Sequence, residues 1–192
     1  VGTRLDNTQG SVAAQHSLAI QLAPAMLPGA SLINAGGTLS SEGGLTLLGQ
    51  RLDNTGGKVS SAGLLSVTSA GDLLNLGGTF DAAQGLALSS ASLDNSQQGL
   101  IKSDGASSIT TGQFNNATGG QLTSTGKLDL TAAQVNNGGR IASADVLSAN
   151  VTGLTQQNGQ LFSNTQLNLN LNGGDLSNSG LINAPILLLS NL

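Results

Sequence analysis

One phrase recurs along this chain: an apolar residue, an asparagine two places on, one or two glycines, then a run of alternating apolar and polar residues. Its clearest copies are LDNTGGKVSSAGLLSVTS from Leu52, LLNLGGTFDAAQGLALSS from Leu73 and FNNATGGQLTSTGKLDLT from Phe114. Aligned on the apolar start, nine copies begin at Leu5, Leu32, Leu52, Leu73, Leu93, Phe114, Val135, Leu154 and Leu176. The spacings between starts are 27, 20, 21, 20, 21, 21, 19 and 22 residues. A unit of that size cannot bury its own apolar face, so neighbouring units must stack to build a continuous core.

The register inside the repeat is strict. Two places after each start stand Asn7, Asn34, Asn54, Asn75, Asn95, Asn116, Asn137, Gln156 and Asn178. Glycines follow, then a short apolar touch at Val12, Leu39, Val59, Phe80, Leu100, Leu122, Ile141, Leu161 and Ile182. A second turn signal comes next, as in SSEGG, SSAG and TSTG, and then strict alternation such as Leu45/Leu47, Leu65/Val67 and Leu167/Leu169/Leu171. Alternation marks strands with one buried face, and the Gly and Asn clusters mark turns. No stretch carries the spacing of an amphipathic helix over three turns.

The expected fold is therefore all-β: a parallel β-helix of about nine ~20-residue coils, each about 4.8 Å above the last. The nine amides form one column at a tight corner, where Asn tolerates left-handed geometry. Stacked in register, each amide can bond the next, forming a structural ladder. Gln156 keeps the amide but adds a methylene, so its ladder bonds are expected to be strained. Ala106–Thr110 reads as a weak strand.

Composition narrows the function. Aromatic residues make up 2% of the 192, which suits a thin lumen filled by aliphatics rather than a broad globular core. Charged residues make up 8% against a usual share near 25%, and the net charge is −4. With no basic stripe and no stacking platform, nucleic acid is not an expected partner. There is no cysteine, which excludes disulfides and thiolate metal sites. The longest apolar run, Ile186 to Leu189, is far short of the ~20 residues that span a bilayer, so no stable membrane insertion is expected.

The chain reads as a single repeat segment over 1–192, entering its first repeat at once and closing partway through a copy. Stable solenoids need polar caps, and none is visible, so a fragment of a longer array is expected. The one irregularity is the 27-residue first spacing. Its excess is an inserted loop near 23–31, holding Pro24, Met26, Leu27 and Pro28. Insertions in solenoids emerge on one face, either as a tolerated bulge or as a partner-contacting loop.

Signals for chemistry are sparse. Asp6, Asp53 and Asp94 share one place in alternate copies, about 9.6 Å apart by the coil spacing, near the upper range for an inverting pair of carboxylates. Ile33 and Leu74 lie between them, and no Arg or general acid is expected beside them. His16, the single histidine, sits in the AAQHS turn with no Ser-Asp or Cys partner at hand, so a solvent-facing turn residue is expected. Neither catalytic residues nor a cofactor or metal is expected. A flat Ser/Thr/Asn face that binds ice would need regular threonine ranks, and Thr46, Thr68, Thr110 and Thr131 look scattered.

The copies LDNTGGKVSSAGLLSVTS, LDNSQQGLIKSDG and LINAGGTLSSEGGLTLLGQR resemble the repeats of filamentous haemagglutinin, which recur in contact-dependent growth-inhibition exoproteins. The resemblance covers essentially the whole chain. It implies a right-handed parallel β-helix and export through an outer-membrane two-partner-secretion transporter. It also implies a place at the surface of a Gram-negative bacterium, as a structural stalk that extends a distal receptor-binding or toxin region. A host or target-cell receptor would be met through other regions. The alternative is a carbohydrate-binding or polysaccharide-cleaving β-helix protein.

Overall fold

The computed structural model describes residues 3–22, 29–117 and 119–192. Among them there is no helix, and every strand pairing is parallel. Nine strands form one sheet, from Ser11–Ala14 through Thr38–Ser41, Lys58–Ser61 and Thr79–Ala82 to Leu181–Asn183. The rest form a bent 14-stranded sheet that wraps the other side of the lumen. Eight steps between the nine strands give a rod about 40 Å long.

The bend differs along the rod. Near its start, the short strands Leu45–Gly49 and Arg51–Asp53 are separate, as are Leu64–Ser69 and Asp72–Leu74. Further up, each such pair fuses into one ten-residue strand: Gly85–Asp94, Ala106–Asn115, Leu128–Asn137 and Leu147–Gln156. The inward residue at the bend turns apolar only after the strands have fused. It reads Gly49, Ser69, Ser90 and Thr111, then Ala132 and Val151. Ser69 Oγ ties the bend: it lies 2.9 Å from the carbonyls of both Gln50 and Asp72, which share its single hydroxyl proton.

The lumen is built from aliphatic columns. Leu32, Leu52, Leu73, Leu93, Phe114, Val135 and Leu154 stack in one, and Leu39, Val59, Phe80, Ile101, Leu122, Ile141 and Leu161 in another. Each fully buried member contributes about 1.5–3 kcal/mol.

Two sequence expectations change here. The lumen residue of the fifth copy is Ile101, not Leu100, because the turn after Asn95 is one residue longer and holds Gln97 and Gln98 at φ 55° and 68°. Leu100 therefore points outward. The segment expected to be weak, Ala106–Thr110, begins a full ten-residue strand paired on both sides. Backbone bonds to two neighbours hold it although Ser107 stands where the column otherwise has Leu65, Leu86, Leu128, Leu147 and Leu167. Ser107 is 3% exposed, and its hydroxyl has no partner.

Of the inserted segment, Pro24, Met26, Leu27 and Pro28 lie outside the described residues. Ala30, just after them, is buried, and its carbonyl accepts from the N–H groups of Gln50 and Arg51 at 2.9 and 3.1 Å.

Candidate functional site

The chemistry of the described residues is concentrated at the coil corners. At the first corner the amides stack in one unbroken chain. Asn7 Nδ2 donates to Asn34 Oδ1 at 2.7 Å, and Asn34 to Asn54 at 2.7 Å. Asn54 donates to Asn75 at 2.8 Å, Asn75 to Asn95 at 2.7 Å and Asn95 to Asn116 at 2.9 Å. Asn116 donates to Asn137 at 2.9 Å, Asn137 to Gln156 Oε1 at 2.9 Å and Gln156 Nε2 to Asn178 at 3.0 Å. Every bond runs from one coil to the next toward the C-terminal end. The members from Asn34 to Asn137 are 0% exposed.

From Asn7 to Gln156, each amide nitrogen also reaches a backbone carbonyl of the coil above. Asn34 bonds Lys58 O at 3.2 Å, Asn75 bonds Leu100 O at 3.1 Å and Gln156 bonds Leu181 O at 2.9 Å. A buried side chain with donors and acceptor engaged carries no unpaired polar atom into the lumen. The Gly-Gly pair makes room for this. Gly56, at φ 62°, takes the left-handed turn position. Gly57 lies so close to the Asn34 carbonyl and Asn54 Oδ1 that a Cβ would collide with both.

Gln156 does not behave as expected. Its bonds, at 2.9 and 3.0 Å, are about as short as its neighbours'. The turn after Gln156 has the usual length: three residues separate it from the next paired strand residue, Gln160, as three separate Asn54 from Lys58 and Asn75 from Thr79.

A second polar column, unforeseen in the sequence, occupies the next corner. Ser41, Ser61, Ser103, Ser124, Ser143 and Ser163 stack there, buried, with Ala82 interrupting. Ser61 Oγ reaches back to Gly43 O at 2.8 Å, Ser124 to Gly105 O at 2.7 Å and Ser143 to Gly126 O at 2.8 Å. Its signal was the serine before each second turn, in SSEGG, SSAG and TSTG.

The carboxylates do not assemble a catalytic pair. Asp6, Ile33, Asp53, Leu74 and Asp94 do share one outward column. Arginines stand beside two of them, contrary to the sequence expectation: Arg4 bonds Asp6 at 2.7 Å, and Arg51 lies 4.0 Å from Asp53. Arginine and aspartate two apart on a strand face the same side. The Thr8 hydroxyl, then the Thr8 N–H, hold the Asp6 carboxyl below its ordinary range, with Arg4 adding to the effect. A general acid needs the opposite shift.

Lys102 bridges Asp104 at 3.0 Å and Asp81 at 3.8 Å, and its pKa is raised chiefly by the hydrogen bond to Asp104. Asp81, Lys102 and Asp104 edge a depression of about 590 Å³ that Ser40 and Ser60 also line. His16 is exposed in its turn. The threonines are less scattered than they looked: Thr68, Thr110 and Thr131 share one outward column with Ser89. No three of His, Cys, Asp and Glu come together as a metal site among the described residues. No helix there is long and apolar enough to cross a membrane.

A family model described as a haemagglutinin repeat matches residues 2–77 and again 74–184. No curated protein and no solved structure matches the chain.

Proposed function

Because the chain belongs to the haemagglutinin-repeat family, we propose that it is a stalk segment of a secreted bacterial surface exoprotein, adhesin-like or of the contact-dependent growth-inhibition type. The repeat family and the β-helix fit a filamentous, adhesin-type stalk. The observation that carries the reading is the uninterrupted register of nine parallel strands in one sheet. The chain's buried aliphatics stack in columns from coil to coil. Such a body transmits length and stiffness.

Export through a two-partner outer-membrane transporter of a Gram-negative cell fits a chain whose contacts are between neighbouring coils. Such a solenoid can nucleate at one end and propagate as it emerges. Each new coil brings its own aliphatics and hydrogen bonds, so docking itself supplies the driving force outside the cell. The receptor-binding or toxin part belongs to other regions of the exoprotein.

The test is a deletion series in the parent exoprotein on living cells. Removing one, two or four whole coils should shorten the projecting filament by about 4.8 Å per coil while secretion persists. Contact with the target cell should fall with the lost reach. Unchanged filament length, or loss of contact without loss of length, would overturn the stalk reading.

A further inference from the structure

Arg140 stands apart from the other cations. Arg4, Arg51, Lys102 and Lys127 each face an aspartate. Among the described residues Arg140 and Lys58 have no carboxylate partner, in a chain of net charge −4. Lys58 is exposed and held by nothing, whereas Arg140 is half-buried and clamped by the coil above. Its guanidinium carbon lies 5.2 Å from the centre of the Phe162 ring, and its Nη1 donates to Gln160 Oε1 at 2.9 Å. Phe162 is itself anomalous: Phe80 and Phe114 fill the lumen, but Phe162 turns outward, half-buried, on the nine-stranded sheet.

Two depressions meet at Arg140. One, about 150 Å³, is bordered by Thr123, Phe162 and Asn164. The other, about 320 Å³, has a floor of Gly120, Gly138 and Gly139 and a rim of Gln121, Asn158 and Gln160. The geometry points to a binding site for a carboxylate-bearing saccharide, with Arg140 as the anion receptor and Phe162 and Gln160 as positioning residues.

The Arg140 side chain commits one N–H to Gln160, and the remaining fork suits a carboxylate bidentately. The ring holds the guanidinium by cation–π attraction and strips water from one face, strengthening the contact. The glycine floor lets a flat ring lie against the backbone. The rim supplies the amides of Gln121, Asn158 and Gln160, and the neighbouring depression the Thr123 hydroxyl, groups that can both donate and accept as sugar hydroxyls require. The site is additional to the stalk role, and its failure would leave that role intact.

Trigalacturonate, with maltotriose as the neutral control, would be titrated into isotope-labelled protein and followed by NMR. Saturable shifts at Arg140 Nε–H, the Gln160 amide and the Phe162 ring are expected with trigalacturonate alone. Arg140→Gln should weaken binding about tenfold or more, which corresponds to losing about 1.4 kcal/mol. Arg140→Lys should weaken it too, since lysine lacks the fork. Both variants keep the backbone carbonyl that accepts from Asn116 at 3.2 Å, and their denaturation midpoints would confirm intact folding. An equal response to maltotriose, unchanged affinity in Arg140→Gln, or equal weakening in Lys58→Gln would overturn the proposal. Acetate binding as tightly as trigalacturonate would overturn its saccharide part.

Discussion

The asparagine corner and the serine corner face the same problem and answer it in opposite directions. Both must bury polar turns beside an aliphatic lumen. At the first corner every amide donates forward: Asn54 to Asn75, then Asn75 to Asn95. At the second, serine hydroxyls donate backward: Ser61 to Gly43 O, Ser124 to Gly105 O. The amides thus tie each coil to the one above, and hydroxyls tie the coils of Ser41, Ser61, Ser124, Ser143 and Ser163 to the one below, while Ala82 has no hydroxyl and Ser103 donates only within its own turn. The corners also differ in redundancy. The Gly43 carbonyl that receives Ser61 also accepts the Gly63 N–H at 2.9 Å, so it stays paired without the serine. Inside the amide column, by contrast, removing Asn75 takes one acceptor from Asn54 Nδ2, which keeps the Gly57 and Thr79 carbonyls, and leaves the buried Asn95 Oδ1 above it without its donor.

That contrast orders the expected effects of mutation. Asn75→Asp should be the most damaging. It keeps acceptance from Asn54 but sets a buried carboxylate against Asn95 Oδ1 and the Leu100 carbonyl, where a donor stood. The loss should reach several kcal/mol, read as a lower midpoint in urea, and should lessen on acidification as the carboxyl regains a proton. Asn75→Ala should follow, at about 1–3 kcal/mol, through unsatisfied neighbours. Ser61→Ala should lose about 0.5–1.5 kcal/mol. If Ser61→Ala proved as damaging as Asn75→Ala, the redundancy argument would fail. Asn178→Asp should stay within about 0.5 kcal/mol. In this chain Asn178 only accepts, from Gln156 at 3.0 Å and from the Gly180 N–H at 3.1 Å.

A third region sharpens the same comparison. Ser107 is buried with a free hydroxyl in a column of leucines, so its polarity satisfies nothing. Ser107→Ala should therefore be neutral or raise the urea midpoint slightly, opposite in sign to Ser61→Ala. A lowered midpoint would mean that the hydroxyl is paired in solution.

The sequence made some of this legible and hid the rest for physical reasons. Asparagine at one register in eight of nine copies could only be a stacked position, because few other residues combine left-handed tolerance with a self-complementary amide. The serine column escaped notice because serine also fills outward positions and turns throughout the chain, so its residue type carries no register. Leu100 and Ile101 could not be told apart without the length of the turn before them. Arg140 and Phe162 lie 22 residues apart and meet only through the pairing of Arg140 with Gln160. Pairs of that kind become visible when the coil register is known residue by residue.

The central claim is that the amides form a directed chain. Through-hydrogen-bond NMR couplings across the column test it most directly. The account predicts a coupling from Asn34 Nδ2 to Asn54 Cγ, and likewise at each step toward Asn178, with side-chain amide protons in the interior that exchange slowly. Couplings in the reverse direction, or interior amide protons that exchange as fast as those of exposed asparagines, would contradict it.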